Sequence, residues 1–167
     1  MNVTFAVTIT GPETKGMLKK LAEITHSHSA RWLHSRTIHL AGRVACLLEV
    51  IVPEEQHQSL ENEFTGLEGF HVECHSLDNR ESVEEKPLNI SFDANDRPGL
   101  VSAIAHTLEN LGIRIDHIDS HRMSVTGLGT NVFTAQIKAY YPEQSDLELM
   151  TSELEKLSDN ALVEIKS

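Results

Sequence analysis

The residues whose types and spacing could do chemistry are Asn95-Asp96-Arg97-Pro98-Gly99-Leu100, set between an alternating apolar segment and an amphipathic one. Pro98 brings a φ suited to a helix start, and Gly99 lets backbone N–H groups approach a bound group with no Cβ in the way. The N–H groups and dipole of a starting helix favour a carboxylate. Oxygens from Asp116 and its neighbours can receive an ammonium. An amino acid offers both charges, whereas a helix start with no ligand would use the same residues for folding alone. The loop is expected to face Asp116, His117 and Ile118, on the premise that it shares an end of the fold with the start of the next strand.

A worn copy lies 83 residues earlier at Pro12-Glu13-Thr14-Lys15-Gly16-Met17, so the chain is a tandem repeat. Glu13 stands where Asp96 stands, Lys15 replaces the proline, and Gly16 is retained. His34 falls on His117 at the same offset. The candidate effector-binding residues are therefore Asp96, Arg97, Pro98, Gly99, Leu100, Asp116, His117 and Ile118, with Glu13, Gly16 and His34 in the first copy.

Other reactive side chains are less telling. The ten histidines show no Cys/His/carboxylate set with zinc spacing. His117 and His121 are four apart on an expected strand, which separates them by about 13 Å, too far to share a metal. His26 and His28 suit the end of the first helix. Cys46 and Cys74 read as core thiols, outside any disulfide framework. No arrangement pairs a nucleophile with a base, so neither a catalytic residue nor a metal or cofactor is expected.

The elements that must position the loop come from periodicity. Val3, Phe5, Val7 and Ile9 alternate, as do Leu88, Ile90 and Phe92. Met17, Leu18, Leu21 and Ala22 fall on Leu100, Val101, Ile104 and Ala105, predicting one face of a helix in each copy. Thr25 falls on Leu108, the one poor match. Ala30 to Leu40 turns at Ala41-Gly42-Arg43 into Val44 to Val52, and Ile113 to Val125 turns through Thr126-Gly127-Leu128-Gly129 into Asn131 to Tyr140. Both read as β-hairpins. Past Pro53 and Pro142 come two polar helices. The first rests on Leu60 and Phe64. The second has a Ser145/Glu148 capping box and a stripe of Leu147, Met150, Leu154 and Leu157. Short strands close the copies at Phe70 to Ser76 and Ala161 to Ile165.

Strand-helix-strand-strand-helix-strand, twice, predicts an α+β fold of two ferredoxin-like units, each an antiparallel sheet with both helices on one face. The expected domains are 1–78 and 87–167, with the charged stretch 79–86 as linker.

Composition bounds the function. A net charge of −11, from 25 acidic and 14 basic residues, argues against direct nucleic-acid binding, and aromatics at 5% leave little for base stacking. No apolar run approaches the ~20 residues of a membrane span, and no signal-peptide pattern opens the chain. A cytoplasmic location is expected.

The run Asp96-Arg97-Pro98-Gly99-Leu100, followed by a helix and by Leu111-Gly112-Ile113 to Arg122, resembles the signature of ACT domains, which are amino-acid-sensing regulatory modules. Ala30-Arg31-Trp32-Leu33, Ser35-Arg36 and Leu40-Ala41-Gly42 resemble the first domain of the glycine cleavage system transcriptional repressor family, proteins built of two ACT domains. The resemblance implies regulation without catalysis. It implies a glycine effector near the loop glycine, at an interface between ACT domains, and a DNA-binding transcription regulator as protein partner. A ligand-free interaction scaffold is the alternative. Which amino acid binds, and whether the chain forms a homodimer, stay open.

Overall fold

The computed structural model describes residues 1–77, 85–125, 130–142 and 145–166. The chain divides into two compact units, Met1–Arg80 and Glu81–Ser167. The first contains β1 (Asn2–Pro12), α1 (Met17–Ser27), β2 (Arg31–Leu40), β3 (Arg43–Pro53), α2 (Glu54–Thr65) and β4 (His71–Ser76). The second repeats the order with β5 (Lys86–Asn95), α3 (Leu100–Asn110), β6 (Arg114–Val125), β7 (Thr130–Tyr141), α4 (Leu147–Glu155) and β8 (Leu162–Lys166). Each unit is the ferredoxin-like βαββαβ arrangement anticipated from the repeat. Its four-stranded antiparallel sheet has the order β2-β3-β1-β4 or β6-β7-β5-β8. The expected turn at Thr126–Gly129 lies outside the described residues, as does most of the charged stretch between the copies. Lys86, within that stretch, already pairs with Tyr141 as the first residue of β5.

The alternation of apolar residues dictates which sheet face is covered. Phe5, Val7 and Ile9 of β1 and Val44, Cys46, Leu48, Val50 and Val52 of β3 are buried. They meet Leu21 and Ile24 of α1 and Leu60 and Phe64 of α2 in one core. Leu88, Ile90 and Phe92 do the same in the second unit with Leu100, Ile104, Leu108, Met150 and Leu154. Each unit thus encloses its own core, with the two central strands of the sheet supplying most of the floor. No helix among the described residues is long and apolar enough to cross a membrane.

Two helix details depart from the periodic reading. The buried stripe of α1 is Met17, Leu21, Ile24 and Thr25, while Leu18 is exposed and Ala22 faces outward. A helix that packs on a sheet through i, i+4, i+7 and i+8 turns the i+1 position to water. The N-cap of α4 is Asp146, not Ser145. Its carboxylate accepts from the backbone N–H of Glu148 and of Leu149, both at 3.0 Å, and so satisfies two of the donors that a helix start leaves open.

Thr25, the poor match to Leu108, has a polar reason for its burial. Its hydroxyl donates to the Leu21 carbonyl at 2.7 Å and accepts from the Trp32 indole N–H at 2.8 Å. One side chain ties α1 to β2. Thr25→Val preserves shape but leaves the indole donor without its acceptor, and should cost about 1–2 kcal/mol. Urea unfolding followed by Trp32 emission checks this.

Cys46 and Cys74 are free thiols. Burial raises the Cys46 pKa, with the Thr37 hydroxyl pulling the other way. Burial, with Glu61 nearby, pushes the Cys74 pKa from 9.0 up to about 11. Below pH 9 the native thiol holds its proton more tightly than the unfolded one, so its thiolate fraction is roughly a hundredfold lower. Alkylation of native Cys74 at pH 8 should run at least about tenfold slower than after unfolding, measured by mass spectrometry.

Candidate functional site

The junction between the first strand and first helix of each unit is built the same way. Gly16 (φ +79°) and Gly99 (φ +83°) precede Met17 and Leu100 in the left-handed conformation, and no side chain caps either helix. Lys20 N–H donates to the Gly16 carbonyl and Ala103 N–H to the Gly99 carbonyl, each at 2.9 Å. Pro98 therefore lies two residues before the first helical position instead of occupying it. A Cβ placed on either glycine would meet nothing within 4 Å. The glycines serve the positive φ, which other L-residues adopt at a cost.

The structure places the other expected partners at the far end of the strand. His117 lies opposite Lys138, which lies opposite Asn89, six residues before Asn95. His34 lies opposite Glu49 and thence Ala6, six residues before Pro12. At ~3.3 Å per residue that is about 20 Å from the loop. β2 pairs antiparallel with β3, and β3 with β1, so β2 runs parallel to β1 and starts where β1 starts. Within a unit, Asp116, His117, Ile118 and His34 consequently do not face the loop. They border a β-bulge, between Trp32 and His34 in one copy and between Ile115 and His117 in the other.

The end of β2 or β6 is what meets the loop. Glu13 N–H donates to the Gly42 carbonyl at 2.9 Å, and the Glu13 carboxylate lies 3.3 Å from His39 Nδ1. In the second unit Asp96 N–H donates to the Asn131 carbonyl at 2.8 Å, and Arg122 Nε donates to Asp96 Oδ1 at 3.1 Å. His39 and Arg122 are themselves 83 apart. The repeat therefore contains a basic side chain at the end of the second strand that holds the acid of the loop. Sequence reasoning passed over both residues, although the shared offset could have found them.

The two junctions differ in what lies beside them. In the first unit a cavity of about 550 Å³ is lined by Glu13, Lys15, Gly16, His39 and Gly42. In the second, Arg97 crosses to the turn after α4, where its Nε donates to the Leu157 carbonyl at 2.7 Å, and Ser158 Oγ donates to the Asn95 carbonyl at 2.9 Å. Asp96 and Arg97 are thus engaged within their own unit. Among the described residues no group of three or more His, Cys, Asp or Glu side chains is disposed to hold a metal ion.

Residues 4–69 match the ACT domain family, and the second unit repeats the same βαββαβ architecture. No curated protein matches the sequence. Two crystal structures match nearly end to end. A protein of unknown function from Galdieria sulphuraria superposes with a TM-score of 0.87 at 16% identity, over 99% of this chain and 98% of that one. A candidate glycine cleavage system transcriptional repressor superposes with a TM-score of 0.73 at 11% identity, over 100% of this chain and 99% of that one. At such identities the likeness is one of fold.

Gly16→Ala and Gly99→Ala should each destabilise the protein by about 1–2 kcal/mol, through backbone strain and not through a clash. Chemical denaturation measures it. Equal losses at the two sites would mark them as equivalent junctions.

Proposed function

We propose that this chain is an amino-acid-responsive regulatory protein whose first strand-to-helix junction takes the effector, and that it acts through a protein partner. The observation that carries this reading is the cavity at the first junction, where an acid, a lysine and an uncapped helix start converge. The open N–H groups of α1 and the Lys15 ammonium suit a carboxylate, and Glu13 suits an ammonium. Glycine carries both charges and little else. The likeness to a candidate glycine cleavage repressor supports glycine as the effector and repression of that system as the output. A net charge of −11 favours a DNA-binding transcription regulator as the partner over direct contact with DNA.

One observation favours a second reading, a ligand-free interaction scaffold. Asp96 and Arg97 satisfy Arg122 and the Leu157 carbonyl, so the better-formed sequence motif holds its own fold together. Calorimetric titration of glycine into the full chain distinguishes the two. The effector reading expects saturable binding that Glu13→Gln weakens about tenfold with the melting temperature unchanged, since the ammonium loses its charged acceptor. No heat from glycine or other small amino acids would leave the scaffold.

A further inference from the structure

A second cavity of the first unit lies on the other side of the junction, between α1 and the turn that leads from α2 into β4. Its volume is about 300 Å³, at the lower end of the range for small-molecule sites. Met17, Leu21, Leu67 and Phe70 supply apolar walls, and Lys15 and Lys20 stand at the rim. Neither lysine has an ion-pair partner among the described residues, in a chain whose net charge is −11. Glu68 is the acidic residue of the lining.

The repeat shows what keeps this space open. Leu67 N–H donates to the Phe64 carbonyl just as Leu157 N–H donates to that of Leu154, so the two turns correspond. In the second unit Arg97 bridges that gap to the Leu157 carbonyl. Its counterpart at the offset of 83 is Thr14, whose hydroxyl reaches only the Pro12 carbonyl two residues away. Lys15 and Lys20 correspond to Pro98 and Ala103. Phe70 leans on Gly11 so closely that a Cβ there would lie 2.3 Å from its ring; by strand register, His71 opposite Thr10 and Leu162 opposite Asp93, the corresponding pair is Ala94 and Ala161. The first unit thus has a shorter side chain where a strap would cross, two added cations at the rim, and an aromatic wall that glycine alone admits.

We infer that this cavity, which adjoins the glycine site above and shares Lys15 with it, is a second ligand site, for a small carboxylate bearing an apolar tail. The tail packs against Phe70, Leu67 and Met17, and the carboxylate meets Lys15 and Lys20. An amino acid such as leucine and the corresponding 2-oxo acid share that chemistry. Glu68 separates them, since it can accept the ammonium of one and repels the other's extra oxygen.

Leucine, 4-methyl-2-oxopentanoate, leucinamide and glycine are titrated into the full chain by calorimetry, with the Phe70 ring resonances followed by NMR. Leucine or the oxo acid should bind saturably and shift Phe70. Leucinamide, which has the tail without the carboxylate, should bind at least about tenfold more weakly. Lys20→Ala copies the second unit at an exposed helix position. It should lower affinity for the tailed acid about tenfold while leaving the melting temperature and any glycine binding unchanged. Thr14→Arg, which restores the strap, should abolish tailed-acid binding. A preference for leucine that Glu68→Gln erases would assign the amino acid, and a preference for the oxo acid would assign that source. The inference is overturned if neither tailed acid binds, if leucinamide binds equally well, or if Lys20→Ala changes nothing. Glycine binding that persists through those failures would leave the effector reading standing alone.

Discussion

The junction at which a central strand gives way to its helix is the constraint on which each unit depends. The chain must leave the end of β1 or β5, reverse, and lay a helix back over the apolar face of the same sheet. Gly16 and Gly99 accomplish the reversal with a positive φ, and because they stand at the N-cap, no side chain closes the helix start. The packing of Leu21 and Ile24, or of Ile104 and Leu108, on the central strands follows from that entry angle. So does the exposure of helix N–H groups at one end of the sheet. A folding requirement and an anion-attracting feature are the same few atoms.

Around this junction the two copies share one polar device and differ in another. Glu13 with His39, and Asp96 with Arg122, fasten the loop to the end of the edge strand. The exposed Glu13–His39 contact contributes little stability, whereas the Asp96 side chain is largely covered where it accepts from Arg122. The copies part at the residue after the acid. Arg97 spans to the turn after α4, whereas Thr14 bonds only locally, and cavities lie on both sides of the first junction. The copy with the more worn sequence has room for a ligand beside its junction. The polar residues that make the second motif recognisable spend hydrogen bonds within the fold.

Much of the architecture was legible because it is periodic. Alternation along Phe5, Val7 and Ile9 marks a strand covered on one face, and the 83-residue self-match doubles every such signal. The βαββαβ order of both units, the paired glycines and the weight of Leu60 and Phe64 in α2 all follow from such patterns. Local competition was less legible. Ser145 and Asp146 are both good caps one residue apart, and only the backbone path gives the role to Asp146. Leu18 and Ala22 belong to an apolar cluster in sequence, yet the rotation of α1 on the sheet leaves them in water and buries Thr25, because Trp32 is there to satisfy its hydroxyl.

By itself the sequence determined the repeat, the element order, and the residues where the chain must turn through a left-handed glycine, since each of these is a property of neighbours along the chain. It could not say which residues meet the loop. His34 and His117 fall at matching positions in the repeat, yet strand direction carries them about 20 Å from the junction and brings His39 and Arg122 there instead. Strand direction is set by long-range pairing through β3 and β7, and the bridging of Arg97 to Leu157 spans 60 residues. Contacts of that separation exist only once the core has closed, because burial of the sheet face fixes the register that brings their partners within reach.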